Sequence, residues 1–216
     1  GSKNLYVGGL VGGSSGTVEN CAVEGAHISG ASYGSEIYLG GLVGQNNGLI
    51  RNCSADSRLL TAEASTFGKV YVGGFVGENL SNRRIATSYT VGRLSGKAES
   101  TSAAQVCGFV GRNQGYIGNS YTATDLSING AGAAVDGFGR GGEMAGDYYL
   151  NLGNFTYREK SYSANYKSEG GARPISYQDL HAESSPIPGM ARVEGYHYPT
   201  GVKRNGAAVH YGECPV

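Results

Sequence analysis

The sequence lacks three features that would point to common classes of function. Its 17 basic and 17 acidic residues cancel, which argues against a nucleic acid or an anionic membrane as a partner held by bulk charge. No apolar run approaches 18 residues, so we expect no transmembrane helix and no membrane insertion. The four cysteines fit neither a disulfide scaffold nor the spacing of a CxxC metal site.

Proline is scarce and unevenly placed. All five prolines lie beyond residue 151, whereas 30 of the 38 glycines lie in residues 1–151. These numbers fit neither the collagen period nor Pro-rich disorder. They predict a glycine-rich repeat region, residues 1–151, followed by a different segment, residues 152–216. Because the leading Gly1-Ser2 resembles a cloning scar on an excised fragment, the lack of a signal peptide carries no information.

What the sequence has is a repeat. The run Tyr-Val-Gly-Gly-Leu-Val-Gly at residues 6–12 returns with small changes at 38–44, 71–77 and 105–111, and in decayed form at 135–139. The spacings between its marker glycines are 32, 33, 34 and 29 residues, for Gly9, Gly41, Gly74, Gly108 and Gly137. A near-constant period of this size indicates one structural unit stacked repeatedly.

Each repeat has a second half that begins about eleven residues after its marker glycine. The two halves are short runs of β-branched and aromatic residues, which predict strands. A turn of small or amide residues separates them, as at residues 45–48. We therefore predict a unit of strand, turn, strand and variable loop, the loops being residues 26–35, 58–69 and 93–104.

Two architectures compete for such a unit. A propeller blade needs about 40–45 residues for four strands, which is more than this unit provides. A β-solenoid coil uses two or three short strands and tolerates insertions at one corner. We predict an all-β fold: a parallel, right-handed β-helix (β-solenoid) of about four to five coils, with residues 152–216 as a C-terminal cap packed on it. Within that cap, Ser176 is expected to begin a short helical turn and residues 203–206 to form a hairpin turn.

Equivalent positions in a solenoid stack as ladders. Four ladders are predicted: Asn20, Asn52, Thr87 and Asn119; Cys21, Cys53, Ser88 and Ser120; Leu10, Leu42, Phe75, Phe109 and Phe138; and Tyr6, Tyr38 and Tyr71. The cysteines are interpreted as small core side chains, because two copies hold serine instead. The three tyrosines are also candidates for surface contact, since tyrosine is common at recognition surfaces, although stacking along the coils is the simpler explanation.

The repeat resembles a known family. Gly-Gly-Leu-Val-Gly, a short Asn/Gly turn, an apolar residue and then Asn-Cys/Ser-Tyr-Ala-Thr-Gly is similar to the GLUG repeat, best at residues 40–55 and 107–124. The resemblance implies a β-solenoid in a secreted or cell-surface bacterial protein. Examples are adhesin-like proteins and the non-catalytic part of immunoglobulin A metallopeptidases, so other domains of the same parent chain are expected. It does not imply an activity.

Catalytic patterns are missing from the sequence. There is no HExxH zinc motif, and the histidines are scattered at 27, 181, 197 and 210. His197, His210 and Cys214 share the tail, but their spacing fits no standard metal site. The repeat positions of Glu24 and Asp56 hold Val91 and Ala123 in later copies, which gives no carboxylate pair for glycoside chemistry. We expect no catalytic residues, no cofactor and no metal.

The leading interpretation is a non-catalytic module that serves as an adhesive surface or a stalk, with a host glycan or protein as its expected partner. Two alternatives remain open. One is an accessory region that orients substrate for a secreted metallopeptidase, and the other is a carbohydrate-active β-helix enzyme.

Overall fold

The computed structural model describes residues 3–65, 68–98, 103–129, 134–151, 153–157, 160–164, 166–191, 199, 201–204 and 207–210. Within these residues the chain forms 25 strands and one four-residue helix, which confirms the all-β prediction. No helix in this part of the chain is long and apolar enough to cross a membrane.

Each complete coil consists of four strands. Coil 1 contains β1 (Leu5–Gly8), β2 (Val11–Ser14), β3 (Thr17–Glu19) and β4 (Ala22–Tyr33). Coil 2 contains β5 (Ile37–Gly40), β6 (Val43–Asn46), β7 (Leu49–Arg51) and β8 (Ser54–Ser65). Coil 3 contains β9 (Val70–Gly73), β10 (Val76–Asn79), β11 (Arg84–Ala86) and β12 (Tyr89–Ala98). Coil 4 contains β13 (Ala104–Cys107), β14 (Val110–Asn113), β15 (Tyr116–Gly118) and β16 (Tyr121–Asn129). A partial coil 5 follows with β17 (Ala134–Asp136), β18 (Glu143–Ala145) and β19 (Tyr148–Leu150).

Equivalent strands of successive coils pair in parallel and form four sheets. Sheet A has the order β1-β5-β9-β13-β17, and sheet B has the order β2-β6-β10-β14. Sheet C runs β3-β7-β11-β15-β18, and sheet D runs β4-β8-β12-β16-β19. The pairing keeps the repeats in line, with Tyr6 opposite Tyr38 and Val18 opposite Ile50. The predicted parallel β-solenoid is therefore confirmed, with about four turns.

Two details of the predicted coil are wrong. The unit holds four strands rather than two or three, and the segments predicted as variable loops are largely strand. In sheet D, β8 and β12 continue in parallel register past the repeated half, with an irregularity between Gly92 and Leu94. The continuation forms because its inward residues, such as Leu60 and Leu94, are fully buried, so it covers an apolar core of its own.

The interior contains two apolar cores. The first is lined by residues from the corner between sheets A and B, from sheets B and C, and from the beginning of sheet D: Leu42, Val43, Ile50, Cys53, Ala55 and their equivalents. The second lies between sheet A and the continuation of sheet D: Ile37, Leu39, Leu60, Ala62 and their equivalents. Sheet A strands therefore alternate, with Ile37 and Leu39 facing inward and Tyr38 between them facing outward.

The C-terminal segment first crosses the end of the stack. Tyr166 packs against both cores, and Ala172 is buried in the first. The Gly137 amide donates to the Lys167 carbonyl at 2.8 Å. The chain then adds β22 (Arg173–Ile175) beside β19 as the edge strand of sheet D, a position that tolerates Pro174 because an edge strand can lack one amide donor.

The same segment then covers the outer face of sheet D. Helix α1 (Tyr177–Leu180) begins at Ser176, whose hydroxyl accepts the Asp179 amide at 3.0 Å, as predicted. A third apolar cluster joins Leu180, Ile187 and Met190 to Tyr89 and Tyr121 of the solenoid.

Two small antiparallel sheets complete the described strands. One is the pair β20 (Gly153–Tyr157) and β21 (Lys160–Ala164). The other contains β23 (Met190–Ala191), β24 (Gly201–Arg204) and β25 (Ala207–His210). The antiparallel pairing of β24 and β25 flanks the predicted hairpin turn, of which residues 205 and 206 lie outside the described part of the chain.

Candidate functional site

The three repeat tyrosines form a stack on the outer face of sheet A. The ring centroids of Tyr6 and Tyr38 are 5.2 Å apart, and those of Tyr38 and Tyr71 are 4.8 Å apart, with nearly parallel planes. The in-register pairing of β1, β5 and β9 places these side chains directly above one another. The stack ends at the fourth coil, where Gln105 takes the equivalent position.

A network of polar side chains closes over the middle of this stack. The Tyr38 hydroxyl donates to Glu36 Oε2 at 2.6 Å and accepts from Arg112 Nη1 at 3.0 Å. Arg112 also pairs with Glu78 at 3.2 Å, and Gln45 donates to the other oxygen of Glu78 at 2.8 Å. Gln45, Glu78 and Arg112 are equivalent residues of sheet B, so the network links the outer faces of sheets A and B.

The environment of Tyr38 and Tyr71 suppresses ionisation of their phenols. Burial, reinforced by the hydrogen bond to Glu36, raises the pKa of Tyr38. Burial also raises the pKa of Tyr71. Both rings therefore stay neutral at physiological pH and act as packing and hydrogen-bonding groups.

The surface-contact prediction is wrong for Tyr38. Its side chain is 1% exposed, because Tyr6 and Tyr71 cover its two faces and the polar network holds its hydroxyl. Tyr6 and Tyr71 at the ends of the stack are half-buried. The middle ring of the stack, Tyr38, therefore offers no face for contact.

The predicted amide ladder lies at the corner between sheets C and D. Asn20, Asn52, Thr87 and Asn119 all adopt positive φ, between 51° and 55°. This left-handed conformation turns the chain, and asparagine tolerates it better than most residues. The side-chain contact along the ladder is long, with Asn52 Nδ2 at 3.5 Å from Asn20 Oδ1. Backbone conformation, more than amide bonding, therefore explains asparagine here.

The residue after each corner asparagine forms a second ladder with a clear bonding pattern. The backbone amide of Cys21 donates to Cys53 Sγ at 3.4 Å, and that of Cys53 donates to Ser88 Oγ at 3.2 Å. Ser88 then donates through its amide to Ser120 Oγ at 3.2 Å. Each coil thus supplies a side-chain acceptor to the coil before it. Cys21 and Cys53 are both free thiols, and burial raises the pKa of Cys53 to about 12.

Asp147 ends this ladder and was not assigned to it from the sequence. Its Oδ1 accepts the Ser120 amide at 2.8 Å, and its Oδ2 accepts the Ala145 amide at 3.0 Å. Desolvation raises the pKa of Asp147 to about 7, although both amide donors lower it. The sequence signal was present, because Asp147 directly precedes Tyr148 as Ser120 directly precedes the equivalent Tyr121.

The apolar ladder fills the first core. Phe75, Phe109 and Phe138 stack with centroids 4.7 Å apart. Leu42 continues the row and is fully buried, whereas Leu10 at the first coil is 48% exposed.

A further ladder was missed by the sequence analysis. Asn46 Nδ2 donates to Asn79 Oδ1, and Asn79 Nδ2 donates to Asn113 Oδ1, each at 2.8 Å. These side chains are buried, and Asn113 continues to the Gly141 carbonyl at 3.0 Å. Each lies five residues after a marker glycine, a spacing that could have revealed the row. The row was missed because Asn46 and Asn113 lie in segments that the sequence predicts as turns.

Candidate metal ligands were also compared with the structure. Within the described residues, no three His, Cys, Asp or Glu side chains are grouped to hold a metal ion. His27 is exposed on β4, and His181 follows helix α1. His197 and Cys214 lie outside the described residues, and His210 is placed only as part of β25.

Comparison with known proteins gives one match. Residues 3–29 and 35–59 match the family described as the GLUG motif. No curated protein and no solved structure matches the chain. The two matched segments lie in coils 1 and 2, and each covers the first three strands of its coil and the beginning of the fourth.

Proposed function

We propose that this GLUG-repeat solenoid is a non-catalytic module that serves as a stiff stalk or spacer in a secreted or cell-surface bacterial protein. The observation that carries the proposal is the set of side-chain ladders that run without interruption from coil to coil. The Phe stack, the buried Asn row and the corner Cys/Ser row each cross at least three coils.

These ladders oppose both bending and separation of coils. A coil that tilted would break buried amide bonds and open a close-packed core, and both changes cost free energy. Ion pairs between neighbouring coils add to this on the surface, as in Arg51–Glu19 and Lys97–Glu63, although exposed pairs contribute little each. The extracellular setting rests on the resemblance of the repeat to those of bacterial surface proteins.

Single-molecule extension with handles at both chain ends tests the stalk role. We expect discrete force peaks in which a coil of about 33 residues releases about 110 Å of contour length, since an extended residue spans about 3.4 Å. Smooth extension at forces too low to resolve would contradict the stalk role.

A binding screen separates the stalk from an adhesive surface. The purified chain is applied to a glycan array and to a panel of host extracellular proteins, and a stalk is expected to bind neither. A ligand whose binding is lost in Tyr6→Ala or Tyr71→Ala, but retained in Tyr33→Ala, would support the adhesive alternative instead. Tyr33 is 89% exposed on β4 and serves as the matched control outside the stack.

A further inference from the structure

The two ends of the solenoid differ. At the C-terminal end, residues 166–172 cross the cores. The last coil has Asp136 and Asp147, whose carboxylates accept hydrogen bonds from backbone amides. At the N-terminal end, coil 1 keeps the repeat unaltered, including Tyr6, Leu10 and Cys21. Coil 1 therefore has the residues of an interior coil and none of the changes that end the stack at its other face.

Inward residues of coil 1 are more exposed than their equivalents. Leu10 is 48% exposed, whereas Leu42 is fully buried. Val11 and Val18 are half-buried, although the equivalent residues of coil 2 are fully buried. The apolar cores thus continue to the N-terminal end and are open there.

Gly16 gives an independent indication of what covers this end. It aligns with Gly48, one residue before the aligned pair Thr17 and Leu49. A Cβ on Gly48 would overlap the carbonyl oxygen of Gly16 in the preceding coil. Gly115 has the same relation to the Arg83 carbonyl of coil 3. A Cβ on Gly16 would meet nothing within 4 Å, and its φ is not positive. Coil 3 has Arg83 at this position, but its turn between Asn79 and Arg84 is two residues longer than the turns of the other three coils. In the coils with the short turn, which include coil 1, glycine is needed at this position only where another coil is stacked before it.

The hydrogen-bonding groups of coil 1 are also arranged to pair with a coil stacked before it. Asn47, Leu49 and Ser54 donate their amides to carbonyls of coil 1, and the equivalent donors of coil 1 are Ser15, Thr17 and Ala22. In the corner ladder, each sulfur or hydroxyl accepts an amide of the preceding coil. Cys21 Sγ stands at the position of the next acceptor.

We infer that the N-terminal end of the solenoid is a docking surface for one further coil of the same repeat type, aligned parallel to coil 1. The interface continues the coil-to-coil register already present in the four sheets. A second copy cannot supply this coil head to tail, because residues 166–172 cover its C-terminal end. The inference stands apart from the proposed stalk role, since it follows from coil geometry alone.

An added coil tests the inference. A second copy of residues 37–69 is inserted directly before Leu5, so that Lys69 precedes Leu5 as it precedes Val70. We expect amide hydrogen exchange at Ser15, Thr17 and Ala22 to slow by at least about tenfold and the unfolding temperature to rise. The control insertion has the same 33 residues in scrambled order. An added coil that behaves like the scrambled one, including one that unfolds the protein, overturns the inference.

Two glycine variants sharpen this experiment. Gly16→Ala is expected to leave the unfolding temperature of the original chain unchanged, because its Cβ has open space, and to lower that of the extended chain. Gly13→Ala should be neutral in both, because Gln45 occupies the equivalent position in coil 2. Equal effects of Gly16→Ala in the two chains would contradict a stacked coil. Light scattering that shows a dimer of the original chain, with Thr17 and Ala22 already protected, would identify a second copy as the occupant and overturn the inference.

Discussion

At the residue scale, the buried asparagine row links three coils through sheet B. Asn79 is its centre, because its amide accepts from Asn46 and donates to Asn113. Asn79→Ala removes both bonds and leaves a buried cavity, so we expect a loss of about 2–4 kcal/mol in the free energy of unfolding. Asn79→Asp keeps the shape and the Oδ1 acceptor but cannot donate to Asn113, so it should also destabilise. Urea unfolding measures both.

The exposed Gln114 provides the control for that row. Gln114→Ala should change the free energy of unfolding by less than about 0.5 kcal/mol. An Asn79→Ala variant as stable as Gln114→Ala would show that the row is not a source of stability.

Asp147 predicts a pH dependence of stability. Its pKa rises from 3.8 in a solvated chain to about 7 in the fold, so the folded state holds an extra proton between these values. Stability from this group is therefore present at low pH and falls as pH rises from about 4 to 7, by at most about 1.4 kcal/mol per unit. Asp147→Asn removes the titration. The difference in free energy of unfolding between the two proteins should change with pH over this range and level off above it. Parallel curves would contradict the raised pKa.

At the element scale, Thr87 is the exception among four corner residues. It has φ of 51°, where the other coils place asparagine, and a β-branched side chain is strained in this region. We expect Thr87→Asn to stabilise the protein by about 1 kcal/mol. The reverse change Asn52→Thr should destabilise by a similar amount. Thermal unfolding of both variants checks the pair, and a destabilised Thr87→Asn would show that Thr87 is held by packing instead.

The repeat predicted the order of these elements well and their number less well. Spacing between marker glycines placed Tyr6 over Tyr38 and Phe75 over Phe109, since in-register stacking needs only a period. It could not show that β8 continues to Ser65, because residues 58–69 vary between copies and the burial of Leu60 and Ala62 depends on sheet A folding back over them. The inward direction of Asn46 was hidden for a related reason. Asn46 is the last residue of β6, where the direction of a side chain depends on how the chain turns. The repeat period carries no information about that turn.

At the scale of the whole molecule, the C-terminal segment acts as both end cover and side cover. Residues 166–172 close the two cores, residues 173–175 extend sheet D as its edge strand, and residues 176–191 lie along the outer face of that sheet. The sequence predicts a cap of residues 152–216 packed on the solenoid, but nothing in the repeat indicates that Tyr89 and Tyr121 face outward toward a partner segment. The two apolar cores lie inside the four sheets and are separate from the cluster under the side cover, so the side cover is expected to be lost without unfolding the coils.

Leu180→Glu tests this division between cover and solenoid. Leu180 is fully buried against the outer face of sheet D, so a charge there should detach residues 175–190. We expect faster hydrogen exchange in this segment and new protease cleavage within it, while amides of sheet B keep their protection because the first core lies on the other side of sheet D. Tyr177→Glu, at a position 47% exposed, should change neither. If Leu180→Glu also exposed the amides of Val76 and Val110, the segment and the solenoid would be one cooperative unit, and the described side contact would be essential to the fold.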